Sequence, residues 1–189
     1  MAQGVTVIIL AAGNGARFRA AGGEQSKLQS PLATERGTYT VLEHVLHAVK
    51  QSGLAWHMVE PAHTQHLPIQ GMGSSIATGV AATKHAKAWL ILPADLPLIT
   101  PETLCQLAFA LLLHDVVAPT VQGERGHPVG FSKKCLPDLL KLQGDQGAKH
   151  IIQQYDLHSV PLEDVGCILD VDTPEALALA QQYAWTNKR

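Results

Sequence analysis

Short apolar runs that alternate with stretches of helical spacing set the first limit on what this chain can form. VTVIIL (5–10), WHMV (56–59), AWLIL (88–92), VVAPT (116–120), PVGF (128–131) and CILD (167–170) read as strands. Between them, Val41, Leu42, Val45, Leu46 and Val49 recur at helical spacing, and Gly53 follows as a stop signal. PETLCQLAFALLLHD and PEALALAQQYAWTNK read as two further helices, and SSIATGVAATKHA as a weaker one. Strand–helix alternation of this kind predicts an α/β fold, a mostly parallel sheet flanked by helices on both faces. The stretch between Trp56 and Gly71 is too short for another strand–helix–strand unit and reads as a trimmed sheet or an irregular loop.

Composition narrows the functional classes. With 189 residues, 46% hydrophobic and 16% charged, the chain reads as one globular domain, residues 1–189. A net charge of −2 leaves no electrostatic footprint for a nucleic-acid backbone or an anionic membrane surface. No apolar run approaches the roughly 18 residues needed to span a bilayer. The opening MAQGVTVIIL lacks a basic n-region and reads as a strand, not a signal peptide. Cys105, Cys135 and Cys167 make an odd number without a C-x-x-C, which points to a reduced, cytoplasmic setting. Cys105 lies in LCQLAFALLL and is expected to fill core. The ten histidines include only isolated H-x-x-H pairs, a poor basis for a transition-metal centre.

Several loops combine residue types that do chemistry. Leu10-Ala11-Ala12-Gly13-Asn14-Gly15-Ala16-Arg17 follows the first strand. Small residues there permit close backbone approach, successive N–H groups can form an anion nest, and Arg17 offers a fork for phosphate oxygens. The same run also reads as an ordinary flexible turn. It lacks the G-K-[ST] of a P-loop, and Phe18 stands where a dinucleotide fingerprint needs Gly or Ala. Lys27 could add a compact positive charge. Asp95, held between prolines in PADLP, suits either a loop-internal hydrogen bond or a Mg²⁺ ion shared with phosphates. Asp170 and Asp172 would share a face if their strand continued, leaving Asp172 to cap the last helix or join a metal site. Thr100-Pro101-Glu102 and Thr173-Pro174-Glu175 carry helix-start signals. Gly71-Met72-Gly73-Ser74-Ser75 reads as a plain N-terminus or a base or phosphate contact. The Gly123–Val129 and Gly144–Lys149 loops read first as turns.

Taken in order, L-A-A-G-x-G-x-R, Lys, G-M-G-S-S, P-A-D-L-P, G-x-R-G-H-P-V, G-D-x-G-A and D-V-D-T-P-E resemble the molybdenum cofactor nucleotidyltransferase family, most closely its cytidylyltransferase branch. The resemblance runs from about Val5 to Leu179 and implies a Rossmann-like nucleotidyltransferase fold. It implies transfer of CMP from CTP to the terminal phosphate of molybdenum-bound molybdopterin, with Mg²⁺ as cofactor and loss of pyrophosphate. Carried over by motif, Leu10, Ala11, Ala12, Gly13, Gly15, Gly73 and Ser75 would bind nucleotide. Arg17 and Lys27 would act on the phosphates, and Asp95, with Asp172, would hold the metal. His127, Gly144 and Asp145 would face the pterin. The resemblance also implies a client molybdoenzyme. Two alternatives keep the fold: a guanylyltransferase or one using another phosphorylated acceptor, and a non-catalytic molybdenum cofactor chaperone.

Overall fold

The computed structural model describes residues 4–23, 26–35 and 37–186. In chain order the elements are β1 (Val5–Leu10), α1 (Ala16–Ala20), β2 (Pro31–Thr34), β3 (Gly37–Thr40), α2 (Val41–Ser52), β4 (Ala55–Val59), α3 (Pro61–Thr64) and α4 (Met72–Ala82). These are followed by β5 (Ala88–Pro93), α5 (Pro101–Ala110), β6 (Val116–Val121), β7 (Glu124–Arg125) and β8 (Val129–Ser132). Next come α6 (Leu136–Leu139), α7 (Lys149–Gln154), β9 (Leu157–Pro161) and α8 (Pro174–Thr186).

One sheet runs in the order β4-β1-β5-β8-β6-β7, with β9 added against β6. β1 is parallel to both β4 and β5, and β6 is parallel to β9, whereas β8 and β7 are antiparallel to their neighbours. The result is the expected α/β, Rossmann-like layering around a mostly parallel, mixed sheet. Alternation along the strands builds the two layers. Val5, Val7 and Ile9 of β1 and Leu90 and Leu92 of β5 face Val45 and Val49 of α2 and Leu104 and Leu107 of α5. Ile8, Trp89 and Ile91 turn the other way, toward Ile76 and Val80 of α4 and Leu139 and Ile151 of α6 and α7. Each such fully buried aliphatic side chain contributes about 1.5–3 kcal/mol relative to exposure.

The helix starts are capped by side chains, at α5 and α8 by the threonines that the sequence marks. Thr40 and Glu43 form a reciprocal capping box on α2, and Gly53 closes that helix with φ 68°. Thr100 Oγ1 accepts from the Thr103 backbone N–H ahead of α5, and Thr173 Oγ1 accepts from Ala176 N ahead of α8. Among the described residues no helix is long and apolar enough to cross a membrane.

Two sequence expectations need correction. The run CILD is not a strand: Val165–Cys167 is a 3₁₀ turn, and the residues after it are irregular. Gly166 there packs so closely on the Leu98 carbonyl that a Cβ would lie 2.3 Å from that carbon, which fixes the turn against the loop after β5. Cys105 is exposed, whereas Cys135 and Cys167 are buried; the helical period of α5 turns Leu104, Leu107 and Ala108 inward and leaves Cys105 outside. The Gly123–Val129 loop joins β6 to β8, which pair antiparallel, and its β7 residues fold back on β6. Between Trp56 and Gly71 the chain makes the single turn α3 with no added strand.

A third apolar cluster, Phe18, Leu32, Val41, Val171 and Ala180, seats α8 against the β2–β3 ribbon. Gln181 completes the seat by pairing with the Ala33 main chain, accepting from Ala33 N at 2.8 Å and donating to its carbonyl.

Candidate active site

The chain leaves β1 for β4 on one side and returns to β5 on the other, so the loops after β1 and β5 part at a topological switch point. A cavity of about 640 Å³ opens there. Its wall carries Leu10, Ala12, Gly13, Gly15, Arg17 and Lys27 from the first third of the chain, and Ser75, Asp95, His127, Asp145 and Asp172 from the rest. Three sequence candidates stand behind that wall. Ala11 is buried and its N–H donates to the Val59 carbonyl at 2.9 Å. Gly73 packs on the Gln143 carbonyl, and Gly144 lies against Gly71.

The loop after β1 is shaped by its own backbone. Gly15 adopts φ 62°, the left-handed region, and Asn14 Oδ1 accepts from Ala16 N at 3.1 Å to start α1. Gly13 is different: a Cβ there would meet nothing within 4 Å and its φ is ordinary, so nothing in the folded protein demands glycine at that position.

The charged centre joins three segments distant in sequence. Lys27 Nζ donates to Asp95 Oδ2 at 2.5 Å and to Asp172 Oδ1 at 2.6 Å, while Arg17 reaches Asp172 Oδ2 at 2.8 Å. The Val171 N–H donates to the Asp95 carbonyl at 2.9 Å, which sets the spacing of the two aspartates through the main chain. Burial works against the Lys27 charge, but Asp95 and Asp172 outweigh it and raise the ammonium pKa. Asp172 loses by burial and gains more from Lys27 and Arg17, so its carboxyl is held below the usual range. Asp170, on the same cavity wall, goes up, first through burial and then through the charges of Asp172 and Asp95. Desolvation likewise holds the His127 imidazole below its ordinary value against the opposing pull of Asp95 and Asp170.

On the opposite wall, the start of α4 and the 3₁₀ turn Gly144–Gln146 interlock. Gly144 N donates to Ser74 Oγ at 3.0 Å, and Ser74 Oγ donates to the Ile69 carbonyl at 2.7 Å. Gly71 sits at φ 141°, where a Cβ would lie 2.4 Å from both Asp145 Oδ1 and the Gly144 carbonyl carbon. The sequence motifs that contain Ser74 and Asp170 do not assign either residue a place of its own in the site. Ser74 is one of two adjacent serines with nothing in the sequence to separate them, and Asp170 was visible only as a neighbour of Asp172.

Asp95 Oδ1 is buried and has no hydrogen-bond partner among the described residues. A buried, orphaned carboxylate oxygen costs free energy unless something bonds it. Together with Asp172 it suits a hard divalent ion that takes one or two carboxylates and completes its shell with phosphate oxygens and water. Among the described residues no cluster of three or more His, Cys, Asp or Glu forms an all-protein cage.

The chain is 30% identical over 159 residues to the purine catabolism protein PucB of Bacillus subtilis (strain 168), covering 79% of this chain and 74% of that protein. It is 26% identical over 113 residues to the molybdenum cofactor cytidylyltransferase of Escherichia coli (strain K12), covering 60% of this chain and 58% of that enzyme. The structure of Rv0371C from Mycobacterium tuberculosis H37Rv in complex with manganese superposes with a TM-score of 0.69 at 20% identity, over 95% of this chain and 99% of that one, a likeness of fold. The MobA-like NTP transferase domain profile matches residues 7–160. With the larger part of its length accounted for in this way, the chain belongs to the MobA-like NTP transferase family.

Proposed function

We propose that the protein transfers CMP from CTP to the terminal phosphate of a molybdopterin-type cofactor in a Mg²⁺-dependent reaction. An oxygen of the acceptor phosphate forms a bond to the α-phosphorus of CTP, the α–β phosphoanhydride bond breaks, and pyrophosphate leaves with that electron pair. The observation that carries this reading is the convergence on one cavity of the glycine loop, two cationic side chains and the Asp95–Asp172 pair. The similarity to a molybdenum cofactor cytidylyltransferase supports the choice of base and acceptor, as does the Ala11-Ala12-Gly13 run.

When bound, Mg²⁺ would neutralise the phosphate oxygens and orient the α-phosphorus. Asp95 and Asp172 would hold it. The N–H groups of the Ala12–Gly15 loop bind phosphate oxygens, and Arg17, whose side chain is 84% exposed, has room to swing onto the leaving pyrophosphate. No general base is needed, because the attacking phosphate is already ionised; the protein's work is alignment and charge neutralisation. Ser75 and the start of α4 lie toward the nucleoside, and His127 and Asp145 toward the acceptor.

Purified protein given molybdenum-loaded molybdopterin, Mg²⁺ and each of the four ribonucleoside triphosphates in turn is expected to release pyrophosphate fastest with CTP. Faster release with GTP replaces the base assignment. Release only with another phosphorylated acceptor replaces the acceptor. Tight pterin binding without turnover of any triphosphate makes the protein a carrier.

The open space at Gly13 yields a sharper test. Gly13→Ala is expected to leave the urea denaturation midpoint unchanged and to raise the KM for CTP by about tenfold, the cost of losing roughly one hydrogen bond to a charged group. A wild-type KM would place the triphosphate elsewhere.

A further inference from the structure

Lys27 stands where the metal of the proposed reaction would be expected. Its ammonium touches one oxygen of Asp95 and one of Asp172 at 2.5 and 2.6 Å. A divalent ion held by those two carboxylates would compete with the ammonium for their charge at close range. The side chains are mostly enclosed, with 14% of Lys27, 15% of Asp95 and 27% of Asp172 exposed, so solvent screens their interactions only partly. Two cations this close on one part-buried acidic pair repel each other, so binding of a divalent ion favours departure of the ammonium.

Lys27 is built to leave. It opens a three-residue 3₁₀ turn whose preceding residue, Ser26, gives no side-chain cap. Its stem already lies along the phosphate loop, with Cγ 3.7 Å from where a Cβ on Gly15 would be. Rotation about the flexible four-carbon chain can therefore carry Nζ from the carboxylates to the space above the loop. The charge balance favours the move only when an anion arrives. Asp95, Asp170 and Asp172 face the same cavity as Lys27 and Arg17, and expelling Lys27 without a new negative charge over the loop leaves its ammonium unpaired.

We propose that Lys27 is the resident counter-cation of the acidic pair: it blocks entry of a free divalent ion and yields the carboxylates only when a triphosphate offers it new oxygens. Metal and nucleotide then bind cooperatively, and by linkage each raises the affinity of the other by the same factor. The proposal rests on the reading of Asp95 and Asp172 as the metal's ligands.

The test is binding of Mn²⁺ alone, followed by loss of the free-ion electron paramagnetic resonance signal, without nucleotide or acceptor. Lys27→Met is expected to bind Mn²⁺ at least tenfold more tightly than wild type. Lys27→Gln should do the same, and serves if the methionine variant does not fold. Lys27→Arg, which keeps the charge, should stay as weak as wild type. Equal or weaker Mn²⁺ binding by the neutral variants overturns the proposal. Adding Asp95→Asn separates the two levels. If it abolishes Mn²⁺ binding while the neutral variants still match wild type, the ligand assignment stands and the role of Lys27 falls. If it changes nothing, the assignment itself falls and the proposal with it.

Discussion

Asp95→Asn should lower the rate of pyrophosphate release at saturating CTP and Mg²⁺ by about a hundred- to a thousandfold, the range seen when one electrostatic contact to a developing charge is removed. The structure gives two reasons for so large an effect. Oδ1 of Asp95 is buried without a partner among the described residues, so the protein does not otherwise use that oxygen. Asparagine keeps the shape but carries one neutral acceptor and an N–H₂ group that repels a cation. The fold should not suffer, because the tie between the Asp95 carbonyl and the Val171 N–H runs through the main chain. Thermal unfolding within a few degrees of wild type, beside a collapsed rate, is the expected pair of results. An unchanged rate would remove Asp95 from the reaction. Asp172→Asn should cost less, since Lys27 and Arg17 both bind that carboxylate and remain to meet the phosphates.

Gly71→Ala is the second large effect, and it should appear in stability as well as activity. At φ 141° an L-residue is strained by about 1–3 kcal/mol before any contact is counted. The new methyl would also overlap the Gly144 main chain, which cannot turn aside as a side-chain tip can. Overpacking adds about 1–3 kcal/mol more. A loss of about 2–5 kcal/mol in urea denaturation is expected. In any fraction that folds, Ser74 and Gly144 should be pushed apart, with weakened substrate binding on the wall carrying Met72, Ser75 and Asp145. A neutral effect would mean that α4 and the Gly144–Gln146 turn do not form the fixed wall described above.

The parts legible in the sequence are those in which local chemistry and tertiary packing agree. β1, β5 and β6 are buried on both faces, and such strands appear as continuous apolar runs. α5 and α8 begin at the threonine caps that the sequence offers. The parts that escaped notice depend on remote partners. β9, Leu-His-Ser-Val-Pro, pairs among the described residues with β6 alone and is largely exposed, so it has no apolar face to announce it. Pro-Leu-Ala-Thr and Gly-Thr-Tyr-Thr become a ribbon because α8 covers Leu32 and Gln181 pairs with Ala33, contacts made across most of the chain. In the site, the loop residues and aspartates could be singled out by type and position. The position of Lys27 between the two carboxylates could not, because only the folded geometry closes the distance from residue 27 to residues 95 and 172.

The hydrogen bond from Val171 to Asp95 has a consequence for biosynthesis. Translation delivers the glycine loop early and the first carboxylate midway, but Asp172 and the helix that anchors it emerge only after the whole sheet has been made. A ribosome-bound fragment stopped before Val171 holds every strand yet only half of the acidic pair. The acidic pair is therefore completed last, by the same segment whose Val171 joins the apolar seat of α8.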